Sequence, residues 1–190
     1  MKKSNNTVAV MLLMIAGAFS RFIPHVPNFT PTEGLTIFGA AYLGKKYLPY
    51  IFPLVLMYIS DFIINNTSAR IYFTNTDGLV WYSPYMIFNL IAIILIVFIA
   101  CKLLRKVTVT TTLGAVISAS IIFYIISNFG VWMNGTSFYS KDFSGLLQSY
   151  VAGLPFFRTS LISNLFFSTV IFGSYHILKS LFYRNEAVHS

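Results

Sequence analysis

The groups best suited to binding chemistry stand together in residues 21–33, RFIPHVPNFTPTE, directly after an apolar run. Pro24, Pro27 and Pro31 remove backbone donors and forbid a regular helix. Arg21, His25, Asn28, Thr30 and Glu33 meanwhile supply cation, imidazole, amide, hydroxyl and carboxylate. Irregular polar backbone at membrane depth must be buried in protein or face a watery cavity, so this stretch reads as a loop folded over a site. Asp61 and Arg158 fall at the ends of later apolar runs, at a depth comparable with Arg21. A charge at mid-membrane costs about 2.5–3.5 kcal/mol on insertion scales and less toward the interface, so Asp61 is expected to pair with one of the two arginines. The pair reads either as a clamp between helix ends or as part of a ligand site. His25 has no companions of ligating type, and metal sites converge three or four ligands; it reads as a hydrogen-bonded loop residue, and no metal site is expected.

Two further polar segments, NNTSARIYFTNTDGLVWYSPY and SNFGVWMNGTSFYSKDFSGLLQSYVAGLPFFRTS, interleave aromatic residues with amides and hydroxyls. Trp81, Tyr82, Trp132, Tyr139 and Tyr150 could stack a flat ligand, with Asn128, Asn134 and Gln148 fixing its orientation, the usual make-up of a small-molecule pocket. The alternative is an aromatic belt at headgroup depth. No HExxH, GxSxG or Walker pattern occurs, and no paired-carboxylate spacing. The expectation is therefore a protein that is not an enzyme, carries no cofactor and cannot itself drive primary transport.

The elements that position these groups follow from composition. Of 190 residues, 56% are hydrophobic and only 9% charged, where a soluble domain has roughly a quarter charged. The chain therefore reads as an all-α integral membrane protein with the lipid bilayer as its surroundings. The net charge of +8 sits at the ends of apolar runs, not on one soluble face, which excludes nucleic acid as the partner. Cys101, alone in an apolar run, excludes an intramolecular disulfide and a cysteine metal motif.

Six spans are expected. The first covers about residues 7–23; the alternative, a signal peptide cut after residues 16–18, fits less well because the apolar run continues into the loop. Residues 31–44 make a short second span, rich in small residues that permit close packing. Residues 48–65, 85–101 and 108–127 make the third to fifth. Residues 145–155 read as a separate half-buried helix, and 158–182 as the sixth span, with Pro155 as the break. Lys2, Lys3, Lys45, Lys46, Lys102, Arg105, Lys106, Lys179 and Arg184 then share one side, which the positive-inside rule makes cytoplasmic, both termini included. Long outer loops follow spans one, three and five, the last covering residues 128–144. The chain reads as a single transmembrane domain.

The strings RFIPHVPNFTPTEGLTIFGAAYLG, PLVLMYISDFI, SNFGVW and GLLQSYVAGLPFFRTSLISNLFF resemble a bacterial membrane-protein family of unknown function that carries a transport-protein label. The layout with large outer loops after spans one, three and five is also similar to the substrate-binding S components of energy-coupling factor (ECF) transporters. That resemblance implies outer loops closing over a vitamin or metal ion, and ECF-type transmembrane and ATPase subunits as partners. The chain departs from it in span one, where Ala16-Gly-Ala-Phe-Ser20 stands in place of Ala-x-x-x-Ala. The expected function is capture of a small solute at the outer face of the bacterial inner membrane. Arg21, His25, Asn28 and Glu33 are expected as lid and polar contacts, Trp81, Trp132 and Tyr139 as stacking surface, Asn128 as an orienting amide, and Asp61 and Arg158 as local charge. The alternative is a cell-envelope scaffold similar to the rod-shape protein MreD, binding proteins or lipid precursors through a cavity-free outer face.

Overall fold

Three changes of local chemistry set where the helices begin. Pro49 stands in the first turn of a helix, where a missing N–H breaks no bond. Thr108 and Thr111 form a reciprocal cap, the Thr108 hydroxyl accepting from the Thr111 N–H at 3.2 Å and the Thr111 hydroxyl from the Thr108 N–H at 3.0 Å. Asp142 accepts from the Gly145 N–H at 2.8 Å and the Ser140 hydroxyl at 2.7 Å. These bonds hold its carboxyl below the usual carboxylate range.

The computed structural model describes residues 3–44, 46–134 and 138–188; Lys2 and Lys45 of the basic set lie outside them. Six α-helices follow in order: α1 (Lys3–Phe19), α2 (Thr32–Tyr42), α3 (Leu48–Asn66), α4 (Pro84–Leu103), α5 (Val109–Met133) and α6 (Phe143–Val188), with single 3-10 turns at Ser20–Phe22 and Arg70–Tyr72. No strand occurs among the described residues. Helices α3, α4, α5 and, in α6, Phe143–Ser180 are each long and apolar enough to cross a membrane. Helix α4 turns Ile87, Ile91, Ile94 and Phe98 outward, apolar surface that lipid would cover.

Two sequence expectations are corrected. Pro155 does not divide the C-terminal segment: residues 145–155 are the first part of α6, which continues through the proline. Leaving the helix inside hydrocarbon would strand several backbone groups, whereas the proline removes one donor. The carbonyl of Pro155 is met by the Thr159 hydroxyl at 3.3 Å. The connection expected over residues 128–144 is also shorter, because α5 runs on to Met133 and carries Asn128 and Trp132 as helical residues.

Helix α2 is the centre of the bundle. At 1.5 Å per residue its 11 residues reach about 17 Å, well short of a hydrocarbon core near 30 Å, and it packs against all five other helices. Residues Thr32–Gly39 are all buried. Val10, Met14 and Ala18 of α1, four residues apart, form one apolar stripe in the cluster that holds Leu35 and Phe38. The Phe38 ring meets Tyr42, Phe172 and Tyr175 edge-on at 5.1–5.5 Å. On the other side Ile37 packs into a cluster with Ile96 and Ala100 of α4 and Ala115 and Ala119 of α5, small residues that let helices approach closely.

Helix α5 passes close to α4 at Gly130. A Cβ on Gly130 would lie 2.5 Å from Phe88 Cγ, whereas one on Gly114 of the same helix meets nothing within 4 Å. Gly130→Ala is expected to lower stability by about 1–3 kcal/mol through overpacking, read as a lower thermal midpoint in detergent. Gly114→Ala should leave the midpoint unchanged or raise it.

Candidate functional site

Residues 23–31 leave α1, turn, and enter the bundle beside α6. Asn28 makes the turn with φ 62°, and the Phe29 N–H closes it on the Val26 carbonyl at 3.1 Å. Asparagine tolerates this left-handed conformation better than most residues. The loop is then fastened to α6: the Phe29 ring lies 5.9 and 5.6 Å from Phe166 and Phe167, and the Ser163 hydroxyl donates to the Thr30 carbonyl at 2.8 Å. Pro31 precedes α2, so Glu33 falls in that helix's first turn, where a carboxylate favours the helix dipole.

Pro27 and Asn28 thereby roof a cavity of about 400 Å³ between α4, α5 and α6. Its apolar walls are Tyr85 and Phe88 from α4, Phe123 and Tyr124 from α5, and Phe156 and Phe157 from α6. Its polar groups are the amides of Asn28, Asn89 and Asn128 and the hydroxyls of Ser127, Ser149 and Ser160, with Tyr139 at the rim from the α5–α6 connection. Among the described residues, no Asp, Glu, Lys, Arg or His lines it. The walls are fixed by helix-to-helix bonds: the Tyr124 hydroxyl donates to the Tyr150 carbonyl at 2.6 Å and the Tyr150 hydroxyl returns to the Ile125 carbonyl at 3.1 Å. Asn128 Nδ2 donates to the Tyr124 carbonyl at 2.8 Å, and its Oδ1 lies against Gly153, where a Cβ would come within 2.3 Å.

Behind one hydroxyl of this wall, that of Ser160, lies a buried polar network. Ser160 donates to Glu33 Oε1 at 3.1 Å. Asn164 lies beside the same carboxylate, and its Nδ2 donates to the Ser120 hydroxyl at 2.8 Å. Glu33 is 2% exposed and Asn164 fully buried. Ser120 stands near the middle of α5, so the network lies well inside the bundle.

Of the ten sequence-selected residues, Asn28, Asn128 and Tyr139 line the cavity. Glu33 is not part of a lid; it sits behind Ser160. Arg21 pairs with Asp61 at 2.5 Å and donates to the Ser60 hydroxyl, on the opposite side of α2. His25 is exposed, its Nδ1 2.9 Å from the Val26 carbonyl. Trp81 is 62% exposed and stacks on Phe62 at 4.9 Å, away from the cavity. Trp132 donates through Nε1 to the Ser140 carbonyl at 2.9 Å, and the Lys141 ammonium caps the Trp132 and Met133 carbonyls, so this ring holds the α5–α6 connection instead of the cavity. Arg158 is exposed. Sequence reasoning missed Asn89, Ser127, Ser160 and Asn164. The signal existed in α6, where Ser149, Ser160, Ser163, Asn164 and Ser168 fall on one face at helical spacing and are all buried.

Fold and cavity together define an all-helical chain with four helices long and apolar enough to cross a membrane and an aromatic-walled pocket between α4, α5 and α6. The chain belongs to a family of unknown function, DUF6580, whose model matches residues 1–187. No curated protein matches the chain, and no solved structure does.

The two polar features should separate in experiment. Asp61→Ala leaves the Arg21 guanidinium, whose side chain is 11% exposed, without its counter-charge, a loss of about 3–5 kcal/mol for a buried pair. A lower thermal midpoint is expected, with the cavity geometry kept. Asn28→Gly retains the positive φ and removes the amide, so its midpoint should stay near that of the parent; Asn28→Ala should fall below Asn28→Gly, because alanine resists that backbone.

Proposed function

We propose that this protein captures a small solute in the α4–α5–α6 cavity and passes it across the bacterial inner membrane. In this reading α1 and α2 complete a six-span arrangement, both termini are cytoplasmic and the cavity opens toward the outer face. A partner module of the energy-coupling type supplies the driving force.

The observation that carries the reading is the cavity itself. A volume of about 400 Å³ falls within the roughly 300–1,000 Å³ of small-molecule pockets, and aromatic walls with a few convergent polar groups are their usual composition. Its roof is a separate loop, Pro27–Asn28, that could admit a solute by local movement. The lining favours an uncharged organic solute of vitamin-like size over a metal ion: among the described residues no three of His, Cys, Asp and Glu converge. The basic residues Lys46, Lys102, Arg105 and Lys106 at the opposite ends of α3, α4 and α5 support the orientation. The layout resembling ECF S components supports the partner. A cell-envelope scaffold would have a loop-bearing face held by apolar contacts, and the cavity weighs against it.

The test is the thermal unfolding midpoint of the purified protein against a panel of vitamins, nucleobases, thiols and metal ions. A ligand at 100 times its dissociation constant adds about 2.7 kcal/mol. A saturable upward shift with one compound is expected, greatly reduced in Asn28→Gly and in Gly153→Ala, which drives the Asn128 amide from its place. No shift with any compound, in a protein whose variants fold normally, would move the assignment to the scaffold.

A further inference from the structure

We infer that Glu33 is a proton site wired to the cavity through Ser160, so that its protonation changes what the cavity wall offers a solute. The inference rests on the solute-capture reading for its purpose, though not for its chemistry.

Glu33 is buried on every side by groups that leave room for a proton. From its own helix it receives its main-chain N–H, from α6 the Ser160 hydroxyl and the Asn164 amide. The turn after α1 brings Arg21 close enough to act on it electrostatically, but that guanidinium is already bonded to Asp61 and Ser60 of α3. Among the described residues no other charged group faces it. Lys102 lies at the far end of α4, α5 has no charged residue, Arg158 of α6 is exposed, and His176 and Lys179 stand more than three turns further along α6. An intramembrane carboxylate with only a shared counter-charge is costly to keep ionised.

A second observation comes from Asn164. Its Nδ2 is used on Ser120, while its Oδ1 is buried without a hydrogen-bond partner among the described residues. An ionised carboxylate has no proton to give such an oxygen; a carboxylic acid does. The void on the other side of α2, lined by Arg21, Thr32 and Thr36, is only about 20 Å³, room for about one water and none for a hydrated metal ion.

Ser160 carries the consequence. A hydroxyl has one proton and two lone pairs. With Glu33 ionised, the Ser160 proton is directed to Oε1 and the cavity meets a lone pair. With Glu33 protonated, Oε1 is a neutral and weaker acceptor, and the Ser160 O–H is free to turn toward the cavity. The cavity wall changes from acceptor to donor, and the only species exchanged is one proton from solvent. By linkage, a solute that prefers either state changes its affinity with pH, by up to about tenfold per pH unit across the titration.

The first probe is the proton alone. The chain has five carboxylate side chains, and Glu33 and Glu186 are its glutamates, so carbon-13 carboxyl-labelled glutamate marks two groups in an infrared pH titration of the full chain in lipid nanodiscs. The expected result is a labelled carboxyl band that titrates apart from that of an exposed glutamate, is absent from Glu33→Gln and shifts in frequency in Ser160→Ala, with Asn28→Gly leaving it in place. If Glu33→Gln does not fold, Glu186→Gln assigns the band by subtraction. A Glu33 band that titrates with the exposed carboxyls, or that Ser160→Ala leaves unmoved, overturns the proton site. A separate titration combined with no thermal shift from any panel compound would uphold the proton site while removing solute capture. A thermal shift without the titration would do the reverse.

Discussion

A helix that starts inside a membrane bundle must find partners for the backbone groups that a spanning helix leaves in water. The first four N–H groups of any α-helix lack intrahelical acceptors, and hydrocarbon supplies none. Helix α2 begins in the interior, and much of the molecule follows from meeting that requirement. Glu33 brings a carboxylate to the first turn and accepts from its own N–H. Thr36 and Ser163 act as donors there, Thr36 to the Thr32 carbonyl at 2.8 Å and Ser163 to the Thr30 carbonyl, so they satisfy acceptors at the same place. The serines of α6 are thus matched to the acceptors at this helix start, the Glu33 carboxylate and the Thr30 carbonyl. The same face, one turn further toward the start of α6, becomes the polar part of the cavity lining.

The bundle separates two kinds of electrostatics. On the α1–α3 side of α2 the charges are paired, with Arg21 joining Asp61 and Ser60 through its two terminal nitrogens. On the α4–α5–α6 side the groups are neutral amides, hydroxyls and aromatic faces. Glu33 stands between them, feeling Arg21 from one side and bonded to Ser160 on the other. A structural ion pair placed in the cavity would face any water or solute that entered it, at a cost in desolvation. Placed across α2, it can hold helices together without that exposure.

Much of this was legible in the sequence, and the failures share a cause. The apolar runs located α3, α4 and α5 to within a few residues at most ends, and the proline-rich stretch identified a loop, which the structure places against a cavity, because prolines and polar groups together cannot make a lipid-facing helix. Pro155 was misjudged because a proline ends helices readily where water can satisfy the freed backbone, and that relief is missing in a membrane. Glu33 was assigned to the lid with the proline-rich loop although the second span was begun at Pro31, and in the structure it belongs to the first turn of that helix. Trp81 and Trp132 were chosen by residue type, while enclosure depends on which way a side chain faces, and that phase is fixed only by packing of neighbouring helices. Ser160 and Asn164 look bland singly; their spacing along α6 is what marks them.

The short second helix also explains why a cavity exists here at all. Five helices packed around a full-length neighbour would close upon it along their whole length. Because α2 starts within the bundle, the space beyond its first turn is filled only by the loop of residues 23–31, whose prolines cannot pack as a helix does. Phe29 fills the part against Phe166 and Phe167, and Pro27 and Asn28 cover what remains between α4, α5 and α6. Lengthening α2 toward the loop would fill that space and bury fewer irregular backbone groups. The half-length helix, the buried carboxylate that starts it and the cavity above it are therefore one arrangement: the polar start of α2 requires the α6 serines, and the room left beyond it is what those serines line.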